Sequence, residues 1–153
     1  MNKNKYLSLF LILLITFTAS AIGGFTTTSF KEPWYSEIIL PSFNPPSWVF
    51  PPVWTILYIM MSVAIWKIWI NTFDLKILKL YFIHLFFNGT WSIIFFWFSS
   101  NWISFDKFNY NFNFYYFTHE KLFKRDKISF YLMLPYFFWS SYALILIHIF
   151  IIN

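Results

Sequence analysis

The chain has 153 residues and a net charge of +5; 59% of its residues are apolar, 27% aromatic and 11% charged. A soluble domain carries about 25% charged residues, and 23 Phe with 9 Trp are more than a fold of this size can hide behind so few charges. The lack of Cys excludes a disulfide scaffold, the apolar content excludes disorder, and the basic excess fits loop Lys of a membrane protein rather than nucleic-acid binding. The class is an all-α integral membrane protein.

A membrane helix needs about 20 apolar residues to cross about 30 Å of hydrocarbon. In chain order, residues 6–25 hold no charge and form the first candidate span. Lys3 and Lys5 before this run, and Ala19-Ser20-Ala21 at its end, fit a signal peptide equally well. Gly23-Gly24 reads as its helix exit. Residues 48–70 form the second span, with Pro51-Pro52 in the first turn and Lys67 near the end, where its long stem reaches the headgroups. Residues 80–98 form the third span, carrying His84 and Asn88, and residues 128–152 form the last, with Pro135 inside it.

Residues 101–127 are less clear. Positions 109–114 alternate with a period of 2 rather than 3.6, and Asp106-Lys107 suits a spanning helix poorly. Loop charge argues the other way. If 101–120 crosses, Lys3, Lys5, Lys67, Lys76, Lys79, Lys121, Lys124, Arg125 and Lys127 share one side, and only Lys31 and Lys107 the other. With four spans the split is nearly even. The positive-inside bias therefore selects a five-helix transmembrane bundle with a cytoplasmic N-terminus and a weak, atypical fourth helix at 101–120, all within one domain over 1–153.

Residues 26–47 form a loop without helical periodicity, longer than the about 12–15 residues usual for an unstructured connection. Pro33, Pro41, Pro45 and Pro46 stiffen it. Trp34, Tyr35 and Phe43 give it apolar faces that disordered loops lack, so it reads as a lid packed on the bundle, with an interfacial aromatic belt as the alternative.

Three blocks in order carry a family resemblance. Trp34-Tyr35, Pro41-Ser42-Phe43-x-Pro45-Pro46, Trp48-Val49-Phe50 and Val53-Trp54-Thr55-x-Leu57-Tyr58 form the first; Asn88-x-x-Trp91-Ser92-x-x-Phe95-Phe96 the second; Leu134-Pro135-Tyr136-x-x-Trp139-x-x-x-Ala143 the third. Together they resemble the TspO/MBR family of translocator proteins (peripheral-type benzodiazepine receptors) and bacterial tryptophan-rich sensory proteins. The resemblance implies a five-helix bundle, usually dimeric, that retains its first helix and closes a pocket with its first loop. Family members bind porphyrins and, in many cases, cholesterol and benzodiazepine-type drugs. Carried over by position, the ligand-binding residues are Trp34, Tyr35, Pro45, Trp54, Tyr58, Asn88, Trp91, Trp139 and Ala143. The chain departs from the family at Leu40, where Lys is usual, and at Ile147, where Asn is frequent. It has no basic residue after Lys127 to complete a sterol-contact pattern. The fourth-helix region does not resemble the family; a compensated pair of frameshifts across about 104–122, in A/T-rich coding DNA, would account for that.

Helical spacing gives a reading independent of the family. Residues three and four apart share a face, which groups Trp54, Tyr58, Met61 or Ser62, and Ile65; His84, Asn88, Trp91 and Phe95; and Pro135, Trp139 and Ala143. Asn88 fixes the inward face of its span, because lipid cannot satisfy an amide. Trp54, Trp91 and Trp139 would then wall a slot for a planar ligand, offset stacking adding about 0.5–1.5 kcal/mol per aromatic pair. The Asn88 amide, Tyr58 hydroxyl and indole N–H groups would orient that ligand. Pro135 frees the Tyr131 carbonyl and permits a kink that would widen the slot. Packing and interface anchoring are the alternative roles for these aromatics.

His84 offers either an axial haem ligand or an interhelical hydrogen bond. Glu32, Glu37, Asp74, Asp106, Glu120 and Asp126 all lie outside the clear spans, so neither a metal cluster nor an acid–base pair is expected. Porphyrin or haem enters as a ligand rather than a resident cofactor. Three functions follow: a porphyrin or hydrophobic-ligand protein with a transport or sensory role; light-dependent porphyrin breakdown assisted by Trp54 or Trp139; or a dimeric interaction protein modulating another membrane complex. The expected partners are the bilayer, a porphyrin or sterol-like molecule and a second copy of the chain, and the expected place is a bacterial cell membrane.

Overall fold

Four long helices make up most of the residues that the computed structural model describes, namely 3–30, 32–33, 40–97 and 126–152. Helix α1 covers Lys3–Phe30; a 3-10 turn at Ser47–Val49 leads into α2, Phe50–Thr72; α3 covers Leu75–Trp97 and α4 covers Lys127–Ile152. All four are long and apolar enough to cross a membrane. Their outer faces carry exposed Phe10, Leu14, Phe25, Ile56, Phe86 and Phe138, a surface that water would penalise and acyl chains accept. The chain is a multi-pass, all-helical membrane protein. Four of the five expected helices are described; the expected fourth span, 101–120, lies outside the described residues.

Helix ends follow local chemistry. Prolines open α2 in its first turn, where a missing N–H is harmless. Phe73, in the left-handed region at φ 48°, closes α2 by donating its N–H to the Trp69 carbonyl at 2.9 Å. Asp74 then opens α3, its Oδ1 accepting the Lys76 N–H at 2.9 Å. Asp126 opens α4, its Oδ2 accepting the Ser129 N–H at 2.7 Å and the Ser129 hydroxyl at 2.6 Å.

The first helix differs from expectation. It continues through Gly23-Gly24 to Phe30, taking the first five residues of the expected lid, and neither glycine has a positive φ. The reason for Gly23 is proximity: a Cβ there would stand 3.2 Å from Ser92 Oγ on α3. Beyond the pair, Thr26, Thr27 and Thr28 return their hydroxyls to carbonyls four residues back, which suits a helical backbone.

Helix α1 packs along α3 and α2, and α2 along α4. Buried Met61, Ala64, Ile65, Ile68, Tyr81, Leu85 and Met133 form the centre, with Thr16 Oγ1 and Tyr81 Oη 2.7 Å apart between α1 and α3. The α2–α4 contacts fix chain direction. Lys67 Nζ donates to Asp126 Oδ1 at 2.8 Å at one end, and Phe50 meets Trp139 at the other, so α4 runs antiparallel to α2 and parallel to α3. The chain therefore leaves α3 at the end bearing residues 40–47 and enters α4 at the opposite end.

Candidate functional site

A cavity of about 430 Å³ lies between the helices at the end bearing residues 40–47. Its two sides differ in chemistry. On α1, Ser20, Gly23, Gly24 and Thr27 present small side chains and bare backbone. Facing them are Phe50, Trp54 and Tyr58 of α2, Asn88, Trp91 and Phe95 of α3, and Trp139, Ala143, Leu146 and Ile147 of α4. Trp54 stacks on Tyr58 at 5.6 Å between ring centres, and Trp91 on Phe95 at 5.2 Å. Each pair sits four residues apart on one helix, where side chains overlie. Phe50 meets Trp139 edge-on at 5.8 Å, and Trp54 meets Tyr136 edge-on at 6.2 Å.

Asn88 anchors the polar floor. Its Oδ1 accepts the Tyr58 hydroxyl at 2.6 Å, and its Nδ2 donates to the Tyr136 hydroxyl oxygen at 2.7 Å, joining α2, α3 and α4. At the mouth, the Tyr142 hydroxyl donates to the Phe43 carbonyl at 2.7 Å and tethers the loop to α4. Asn44, also at the wall, donates its backbone N–H to the Pro41 carbonyl at 2.9 Å.

Of the nine residues expected to bind ligand, Trp54, Tyr58, Asn88, Trp91, Trp139 and Ala143 line this one cavity. Pro45 is not in its wall; its carbonyl accepts the Asn44 side-chain amide at 3.1 Å, and Asn44 and Ser47 line the cavity instead. Trp34 and Tyr35 lie outside the described residues. Pro135 does not share the inward face with Trp139: it is exposed in an outer groove with Ile56, Met60 and Phe138, and α4 runs helically past it. Tyr136 takes the inward place, 1% exposed. His84 is buried beneath the cavity, edge-on to Tyr136 at 5.2 Å, and is not in its wall.

Sequence reasoning missed Tyr136, Phe50 and the α1 wall. Two signals were available: Tyr136 precedes Trp139 by three and Ala143 by seven, and Phe50 precedes Trp54 by four, the spacings of a shared face. The α1 wall carried no such signal, because small residues leave no apolar period to follow.

Charge collects at the far end. Lys5, with its Nζ 5.6 Å from the Trp66 ring centre, and the Lys67–Asp126 pair stand opposite the cavity. Burial pushes the Asp126 carboxyl up, but hydrogen bonds from Lys67 and Ser129 outweigh it and hold the group below its ordinary value.

The comparisons with known proteins agree with this architecture. The TspO/MBR family profile matches residues 10–151. The tryptophan-rich protein TspO of Archaeoglobus fulgidus is 37% identical over 76 residues, covering 48% of this chain and 50% of that protein. The tryptophan-rich sensory protein of Cereibacter sphaeroides is 37% identical over 86 residues, 55% of this chain and 54% of that one. The human translocator protein is 38% identical over 87 residues, 51% of this chain and 52% of that one. The chain spans about half the length of the relatives it matches. With a profile covering nearly its whole length and an aromatic cavity among its membrane helices, the chain belongs to the TspO/MBR family.

Proposed function

We propose that the protein binds a planar hydrophobic molecule, a porphyrin or related tetrapyrrole, in the cavity walled by Trp54, Trp91 and Trp139, and serves a transport or sensory role in the membrane. The observation that carries this reading is the shape of the wall: stacked Trp54–Tyr58 and Trp91–Phe95 pairs from two helices border one void with Trp139 from a third. Such faces suit a flat ring, since stacking adds about 0.5–1.5 kcal/mol per pair beyond burial. The volume falls in the about 300–1,000 Å³ range of small-molecule sites. Under the same reading the N-terminus is cytoplasmic and two copies form a dimer.

The test is a dark titration of the detergent-solubilised chain with protoporphyrin IX, following Trp fluorescence with inner-filter correction. The expected outcome is saturable quenching that a Trp54→Ala/Trp139→Ala variant loses, by at least about tenfold in affinity if two stacking contacts go. Linear quenching that is identical in both proteins would refute the aromatic pocket.

A further inference from the structure

Besides the inner cavity, the bundle carries a groove of about 380 Å³ on its outer face, between α2 and α4. Val53, Ile56 and Met60 of α2 and Pro135 and Phe138 of α4 border it. Ile56 and Phe138 are 57% and 65% exposed, so the groove is open to whatever surrounds the helices. Its α4 side lies near the middle of the span Lys127–Ile149, at the depth of acyl chains rather than headgroups. Groove and inner cavity lie back to back. Among the described residues Trp139 is the one that lines both, and its side chain is the divider between them.

Trp139 is held in a way that lets it move. Its ring meets Phe50 edge-on at 5.8 Å and Tyr142 at 5.7 Å, whereas its indole N–H finds no acceptor among the described residues. Turning the ring therefore gives up ring contacts but no hydrogen bond. The Trp66 indole, by contrast, is fixed by a 2.9 Å hydrogen bond to the Lys5 carbonyl. Pro135, one turn before Trp139, has no N–H to offer the Tyr131 carbonyl, so α4 flexes there at less cost than elsewhere along its length. The mouth is tied instead, by the Tyr142 hydroxyl on the Phe43 carbonyl at 2.7 Å.

We propose that the outer groove is an entry site for uncharged lipophilic molecules dissolved in the bilayer, which pass sideways between α2 and α4 into the inner cavity when Trp139 swings aside. The apolar lining suits a molecule that has already partitioned into hydrocarbon before it meets the protein. The route needs the cavity and its divider, whichever molecule the cavity finally holds, so it stands apart from the tetrapyrrole reading.

Labelling of a cavity cysteine reads the route without any ligand. The chain has no native Cys, and Ala143→Cys places one thiol in the cavity wall. The full chain in phosphatidylcholine nanodiscs is treated with N-(1-pyrenyl)maleimide, which dissolves in the bilayer, or with a sulfonated maleimide, which stays in water and arrives by the mouth. Ile56→Trp fills the groove from an exposed position that leaves the packed interior untouched, and Ile56→Ala widens it. The pyrene reagent should react at least about tenfold more slowly in the first and about threefold faster in the second, with the sulfonated reagent within about twofold in both. Tyr142→Phe, which unties the mouth, should quicken the sulfonated reagent and leave the pyrene reagent unchanged. A pyrene rate that Ile56→Trp leaves within about twofold, or that moves only in step with the sulfonated rate, overturns the side entry. Saturable porphyrin quenching with an unaltered pyrene rate would keep the pocket and discard this route; the reverse outcome would keep the route and discard the tetrapyrrole.

Discussion

Asn88 holds three helices with one side chain, because an amide carries a donor and an acceptor that lipid would leave unmet. Its bonds to Tyr58 and Tyr136 form the floor on which Trp54 and Trp91 stand. Asn88→Ala removes both bonds, and with them the acceptor of the Tyr58 hydroxyl in an apolar interior. Stability should fall by about 1–3 kcal/mol, against about 0.5–1.5 kcal/mol for Tyr58→Phe, which removes one bond and strands less. Reversible unfolding in mixed micelles measures both, and equal losses would show that the amide does not act as a joint between the two tyrosines. Asn88 could be placed inward from the sequence because a polar atom in a membrane span has few alternatives. Tyr136 could not be chosen over Pro135 so readily: both lie within one turn of Trp139, and only the buried hydroxyl decided the matter.

At the scale of elements, the ion pair that starts α4 also ties it to α2. Lys67 Nζ and Asp126 Oδ1 are 2.8 Å apart, with side chains 28% and 20% exposed. The hydrogen bonds lower the carboxyl more than burial raises it, so folding takes up fewer protons than the unfolded chain holds in mild acid. The stabilisation is therefore complete above the ordinary carboxylate pKa and is lost as pH falls through the depressed folded value. Asp126→Asn should cost about 1 kcal/mol at neutral pH and flatten the acid side of the stability profile. Thermal midpoints recorded from about pH 3 to 7 check this, and parallel curves for the two proteins would count against it. Helices α2 and α4 were legible to within two residues because long apolar runs are the strongest sequence signal, whereas α3 starts at Leu75, five residues before its expected start, because Asp74 caps it and Lys76 and Lys79 fall inside it. The end of α1 was not legible, since Gly-Gly marks an exit in one context and a close helix contact in another, and Ser92, 69 positions further on, selects the contact.

For the whole molecule, the parallel run of α3 and α4 matters most. Helices joined at the same end would be antiparallel; α3 and α4 are parallel, so the chain leaves one and enters the other at opposite ends. Because the chain has no native Cys, single-cysteine variants report sidedness cleanly. In intact cells an impermeant maleimide should label Ser42→Cys and Asn153→Cys, and Lys76→Cys only after permeabilisation. Asn153→Cys behaving like Lys76→Cys would refute the odd number of crossings. Among the described residues, the cavity wall carries no charged side chain, and this has a last consequence, which concerns energy. Carrying one elementary charge through a membrane potential of 100 mV is worth about 2.3 kcal/mol. A neutral molecule settling against such a wall would move no charge through that field, and its occupancy would be indifferent to whether the cell is energised.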